Sequence, residues 1–238
     1  MLLVNKLTIA VKNKVIINNF SYLFEKGKIY AIMGPNGSGK STLALTLVGH
    51  PSYQIKSGTI KLNNQRIQDL SPDKRSKAGL FLSFQSPLIL NGVSLFQMMR
   101  VALRGKISPL NLNNKINRFA KELQIKQELL KRPLNEGASG GERKKLELLQ
   151  GLILQPKVMI FDEIDTGVDV DSLKVIAQLI KKCQKNRTYI VITHYNRIFQ
   201  YFKPDQVLIL TNGILRQTGD WKLAQQIENI GYEKNFGK

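Results

Sequence analysis

Cysteine is almost absent from this sequence: Cys183 is the only one in 238 residues. One thiol can close no internal disulfide, and it cannot assemble a thiolate metal or iron–sulfur centre within one chain. Cys183 therefore reads as a small apolar filler, buried or half-buried. Acidic residues are scarce as well, 17 against 36 Lys and Arg, which leaves a net charge of +19. A balance of that size draws a protein toward nucleic acid, anionic membrane or an acidic partner. Yet no run of five or six like charges forms an arm, and Lys, Asn and Ile are abundant throughout. The charge reads as compositional drift, and nucleic acid is not the expected partner.

Long apolar runs are missing too. No stretch approaches the ~18 to 20 apolar residues that a membrane-spanning helix needs. The chain passes from Met1 straight into strand-like alternation, without a signal or transit segment. A soluble, cytoplasmic protein with no direct membrane insertion is expected. Repeats, low-complexity tracts and linkers are also lacking, and 238 residues fit one α/β domain carrying a subdomain.

Alternation over Leu2 to Val11 and Val15 to Phe20 predicts an antiparallel strand pair, and the apolar run Lys28 to Met33 predicts a buried strand. Further buried strands are expected at Gly79 to Phe84, Val158 to Phe161, Tyr189 to Thr193 and Gln206 to Leu210. Helical or polar stretches separate them, the alternation of a parallel sheet flanked by helices. Between Pro87 and Pro133 the pattern changes. Leu95, Met98, Met99, Ala102 and Leu103, then Ile116, Phe119, Ala120 and Leu123, recur at helical spacing with no convincing strand. The predicted arrangement is a core of residues 1–86 and 138–238 with a helical subdomain at about 87–137.

Gly34-Pro35-Asn36-Gly37-Ser38-Gly39-Lys40-Ser41 fits G-x-x-x-x-G-K-[ST], with a buried strand before it and a helix after it. The glycines let backbone N–H groups turn inward around phosphates, and the helix starting near Lys40 points its positive end at the same charge. Lys40 is expected to reach the β- and γ-phosphates, with Thr42 completing the cradle. Ser41 offers Mg²⁺ a hard oxygen ligand. The run Val158-Met159-Ile160-Phe161 followed by Asp162-Glu163 places an acid at the tip of a central strand, where sheets of this kind bind ligands. Asp162 suits Mg²⁺ through its water shell, and Glu163 suits a base for the attacking water.

Ala138-Ser139-Gly140-Gly141-Glu142, ahead of a helix, resembles the signature loop of ATP-binding cassette (ABC) ATPases. Gln85, Asp169 and His194 complete that family's ordered set, and the resemblance covers roughly Leu2 to Asp220. It implies an α/β nucleotide-binding domain with a P-loop parallel-sheet core, an N-terminal antiparallel β part and an inserted helical subdomain. It also implies MgATP hydrolysis in a dimer whose two sites are shared. Ser139, Gly140 and Gly141 would bind the γ-phosphate of an ATP held by the other copy. Gln85 would touch both Mg²⁺ and the attacking water, His194 would steady that water beside Glu163, and Asp169 would lie in the loop crossing the interface.

Finer wording narrows the resemblance. Transporter cassettes usually read Ser-Gly-Gly-Gln, and Pro-Thr after the acidic pair. Here Glu142-Arg143-Lys144-Lys145 and Ile164-Asp165 stand in those places. Together with Gly49-His50-Pro51-Ser52-Tyr53, Thr193-His194-Tyr195-Asn196-Arg197-Ile198 and Lys203-Pro204-Asp205, they resemble the SufC branch, the ATPase subunits of SUF iron–sulfur cluster assembly. That branch implies soluble partners of the SufB and SufD type. The ATPase subunit of a membrane transporter is the alternative. A DNA-acting ATPase is disfavoured because no sustained heptad pattern separates Ser41 from Ser139. Many ABC ATPases stack adenine on an aromatic residue near the end of the first strand, and counting back from the P-loop puts Val11 there, which leaves base selectivity open.

Overall fold

The structure is a computed structural model that describes residues 1–194 and 197–232. Its strands, in chain order, are β1 Leu2–Val11, β2 Lys14–Phe24, β3 Ile29–Met33, β4 Gln54–Leu62, β5 Gln65–Arg66 and β6 Leu80–Ser83. They continue as β7 Leu90–Ser94, β8 Pro133–Leu134, β9 Val158–Asp162, β10 Thr188–Ile192, β11 Gln206–Thr211 and β12 Ile214–Gly219. The helices are α1 Lys40–Leu47, α2 Pro72–Ala78, α3 Leu95–Ala102, α4 Pro109–Glu122, α5 Gln127–Lys131, α6 Gly140–Leu154, α7 Val170–Lys182 and α8 Trp221–Ile230.

Short strands, apolar in the middle of the sheet, build the central sheet in the order β12-β11-β3-β10-β9-β6. Every residue of β3, β9 and β10 is buried, as expected of strands covered on both faces. The five inner and edge strands β11, β3, β10, β9 and β6 run parallel, and β12 returns antiparallel to β11. Register aligns Ile32 with Ile192 and Ile192 with Asp162. The carboxyl ends of β3, β10 and β9 therefore finish side by side, and the residues that follow them share one edge of the sheet.

One face of this sheet packs through Tyr30, Ile32, Ile160 and Ile192 onto α1 and a second, antiparallel sheet of order β2-β1-β4-β5, which contributes Leu2, Leu7, Ile9, Ile17 and Phe20. The other face packs onto α6, α7 and the helices of the 87–137 segment. Each fully buried Leu, Ile or Phe in these layers contributes about 1.5–3 kcal/mol relative to exposure. The turn between β11 and β12 ties the two sheets together: Gly213 N–H donates to Ser38 O (3.0 Å), and Asn18 N–H donates to Gly213 O (2.9 Å).

Two readings of the 87–137 segment need correction. It contains a strand, β7, which pairs antiparallel with the two-residue β8. Its exposure hides the alternation that marks a half-buried strand, since only Leu90 and Ser94 are partly covered. It ends in a strong helix start, where Ser94 Oγ accepts from Gln97 N–H and the Gln97 side chain accepts from Ser94 N–H. Within the helical stripe, Leu95, Met99, Ile116, Phe119, Ala120 and Leu123 are buried, whereas Ala102 is exposed.

Candidate active site

The P-loop leaves the end of β3 and delivers the chain to α1. Gly34 cannot be replaced without displacing backbone, because a Cβ there would lie 2.0 Å from Leu210 O. Gly39 opens α1 at φ 102°, left-handed backbone that costs glycine nothing. Lys40 folds back over the loop and donates to Gly34 O (2.8 Å) and Pro35 O (2.9 Å). Burial pushes its ammonium down to about 8, against the opposing pull of Glu163 and Asp162. A cavity of about 400 Å³ opens above the start of α1, lined by Asn36, Gly37, Gly39, Lys40, Ser41 and Thr42. Gln85, Glu163 and His194 close its far side, and Ile16 lines it from the hairpin.

Ser41 Oγ donates to Asp162 Oδ1 across 3.2 Å, joining the first turn of α1 to the tip of β9. Asp162 is buried, which raises its carboxyl above the ordinary range; the Ser41 hydrogen bond opposes that. A hydroxyl, a carboxylate and the nearby Gln85 amide form an all-oxygen donor set that suits a hard cation such as Mg²⁺. Among the described residues no cluster of three or more His, Cys, Asp or Glu could hold a metal by itself.

Glu163 departs from the strand at φ 53°. A left-handed conformation in a non-glycine residue costs on the order of 1–3 kcal/mol and clusters at functional sites. Two backbone bonds hold it there: Glu163 N–H donates to Ile192 O (2.9 Å), and Thr166 N–H donates to Glu163 O (3.2 Å). The turn carries the carboxylate away from Asp162 into the cavity. Its Oε1 meets His194 Nε2 at 2.6 Å, while Oε2 accepts from Gln85 Nε2 at 2.7 Å and from Thr166 Oγ1 at 3.3 Å. The same His194 ring places Nδ1 3.2 Å from Gly34 O.

Lys40, Ser41, Glu163, Gln85 and His194 thus line one cavity, with Asp162 buried behind Ser41 and the backbone of Gly34 and Pro35 holding Lys40. Ser38 is buried beneath the loop. Ser139, Gly140 and Gly141 are not part of the lining. Ser139 caps α6 in a reciprocal box, its Oγ accepting from Glu142 N–H (3.3 Å) and its own N–H donating to Glu142 Oε2 (2.8 Å). The Ser139 amide holds the Glu142 carboxyl below its ordinary value. Ser139 and Gly140 are exposed at this helix start, free to meet a ligand from outside. Asp169 is also exposed and caps α7 through Ser172 N–H (2.8 Å).

A family model described as ABC transporter matches residues 17–166. The chain belongs to the ABC transporter ATPase family. It is an ATP hydrolase that works with ATP and Mg²⁺. A probable ATP-dependent transporter, ycf16, from Pyropia yezoensis is 41% identical over 94% of this chain and 93% of its own length. A probable ABC transporter ATP-binding protein from Streptococcus pyogenes serotype M3 is 38% identical over 96% and 92%. Among solved structures, a dimeric ATP-binding cassette in a post-hydrolysis state with ADP and Pi superposes with TM-score 0.80 at 19% identity, covering 93% of this chain and 99% of that one. An ATP-binding subunit of an ABC transporter gives 0.81 at 20% identity, covering 98% and 95%. At those identities the likeness is one of fold.

Within this cassette several functional positions escape sequence reasoning. The hairpin residue that lines the cavity is Ile16, whereas Val11, expected near the base, ends β1 opposite Lys14. Lys144 and Glu147 are nearly fully buried although both lie on a helix rich in charge. Thr166 touches the Glu163 carboxylate from a loop with no periodic signal. Of the wording read as SufC-like, Tyr195 and Asn196 lie outside the described residues.

Proposed function

We propose that this ATPase hydrolyses MgATP at sites shared between two copies of the chain, and that the cycle drives iron–sulfur cluster assembly on a soluble SUF-type scaffold. Lys40 and the P-loop amides take the phosphates at the positive end of α1. Ser41, Gln85 and, through its water shell, Asp162 would hold Mg²⁺, which when bound would supply positive charge to the phosphate oxygens. Glu163 accepts the proton of the attacking water, and His194 orients that water and the γ-phosphate. The dimer reading rests on the helix start at Ser139 and Gly140, which is exposed and stands outside the chain's own cavity, with Gly141 buried just behind it. It would meet an ATP held by the other copy.

The observation that favours the SUF branch is Asp165. Where transporter cassettes carry Pro-Thr, this chain has Ile164-Asp165, and Asp165 is built into the fold. It is 3% exposed, with Oδ2 accepting from Thr193 Oγ1 at 2.7 Å. A buried acid at the root of the Glu163 turn is no surface drift. In Lys203-Pro204-Asp205 the acid is exposed but tied to the fold: Asp205 Oδ2 accepts from Ile29 N–H (2.7 Å) and Gln184 Nε2 (3.0 Å). The second reading, the ATPase subunit of a membrane transporter, is favoured by the names of the relatives above. Co-purification separates the two. Association with soluble scaffold proteins, and stimulation of turnover by them, supports the SUF role. Stable association with a membrane subunit and none with the scaffold would overturn it.

A further inference from the structure

Four and seven residues after the start of α6 at Gly140, two ionisable side chains leave the solvent. Lys144 is 2% exposed and Glu147 6%. Lys144 Nζ donates to Phe84 O (2.6 Å) and Gln85 O (3.0 Å) and lies 3.5 Å from Asp162 O. Glu147 Oε2 accepts from Ser83 Oγ (2.5 Å), and Oε1 accepts from Phe84 N–H (3.2 Å). One turn of α6 therefore holds the Ser83 hydroxyl, the Phe84 N–H and C=O and the Gln85 C=O, with donors and acceptors matched. Burial lowers the Lys144 ammonium and raises the Glu147 carboxyl. Charges so placed are a poor device for stability, because well-packed apolar side chains of similar volume commonly do as well or better. What they provide is a fixed register between two elements.

Both elements carry functional residues at their ends. Gln85, whose backbone Lys144 holds, hydrogen-bonds Glu163 in the chain's own cavity. Ser139 begins the same unbroken helix, Gly140–Leu154. Because Lys144 Nζ is bonded to the Gln85 carbonyl, any shift of the Gln85 backbone bears directly on Lys144. We infer that Lys144 and Glu147 are positioning residues that convert a shift of Gln85 at a chain's own nucleotide into a shift of α6 and Ser139, the group presented to the partner's nucleotide. The consequence for two coupled sites rests on the dimer reading above. The mechanical step does not.

The test uses the full chain in a Cys183→Ser background. Cysteines replace Val15 and Val101, which are 51% and 77% exposed, and a spin-label pair reports their separation with and without MgATP. Glu163→Gln is included to prevent turnover, and the protein is diluted until it is monomeric. MgATP is expected to change the separation between the hairpin and α3, which packs on α6. Lys144→Met/Glu147→Leu replaces the ion pair by apolar groups of similar size. It should bind MgATP and melt near wild type, yet lose the change. Glu147→Gln keeps an acceptor for Phe84 N–H and should retain it. A full change in the double variant, or none in the parent, would overturn the inference. Loss of ATP-dependent dimers at high concentration, with the change intact, would remove only the dimer reading.

Discussion

Glu163 Oε1 and His194 Nε2 lie 2.6 Å apart, and the other Glu163 oxygen is held by Gln85 at 2.7 Å. The carboxylate is thus fixed at both atoms before any nucleotide arrives. Glu163→Gln keeps the shape of this contact and removes its basicity. Turnover should fall by at least ~10²-fold, the scale of a general base, while MgATP binding stays near wild type and ATP-bound dimers accumulate. Phosphate release and size-exclusion chromatography check the two halves; normal turnover would take Glu163 out of the role.

Sharing of each site between chains predicts complementation. Lys40→Ala damages a chain's own phosphate cradle, and Ser139→Arg damages the surface offered to its partner. Mixing the two inactive proteins should restore partial ATPase activity, since some mixed dimers carry one intact site. Full activity in either variant alone would contradict the shared arrangement.

Asp165 predicts a pH-dependent stability. Burial raises its carboxyl above the unfolded value of 3.8, with Thr193 opposing. Over the window between the unfolded and folded values the folded chain binds more protons, so stability falls as pH rises through it. Above that window the full penalty remains. Asp165→Asn keeps an acceptor for Thr193 Oγ1 and removes the charge. It should raise the melting temperature at neutral pH by a few degrees, about 2–4 °C for each kcal/mol in a chain of this size. The gain should shrink as pH falls toward 4. An equal gain at acid and neutral pH would assign the effect to something other than the charge.

Leu88 and Ile89 follow Gln85 and are 68% and 47% exposed, beside the exposed Phe84. An apolar cluster next to the nucleotide-sensing residue is where a partner should dock. Leu88→Asp puts an unpaired charge into that contact, at a cost of about 2–5 kcal/mol when desolvated. Pull-down with the partner should fail while MgATP affinity is kept. Loss of nucleotide binding instead would mean that the substitution disturbs the cavity and that docking lies elsewhere.

The central strands and the P-loop were legible because their signals are local: four or five apolar residues in a row, or glycines at fixed spacing before Lys40. The Gln85–Glu163–His194 constellation needed the family pattern, since 78 and 31 residues separate the partners in sequence. Lys144 and Glu147 were hidden for a different reason. Charged residues on a helix read as a solvated face, and only the apposition of residues 83–85 turns that face inward. Strand β7 was missed because five mostly exposed residues carry no alternation.

Ser139 stands apart from the cavity that holds Lys40, and that separation carries a kinetic consequence. On the reading proposed above, a chain lacking a second copy would have the base, the cation ligands and the cradle, but not the group expected to embrace the far side of the phosphate. Below the dimer's dissociation constant the rate would rise with the square of protein concentration, so dilution alone keeps the free subunit idle. A partner that gathers two copies raises their local concentration and would act as an activator without touching a single reacting atom.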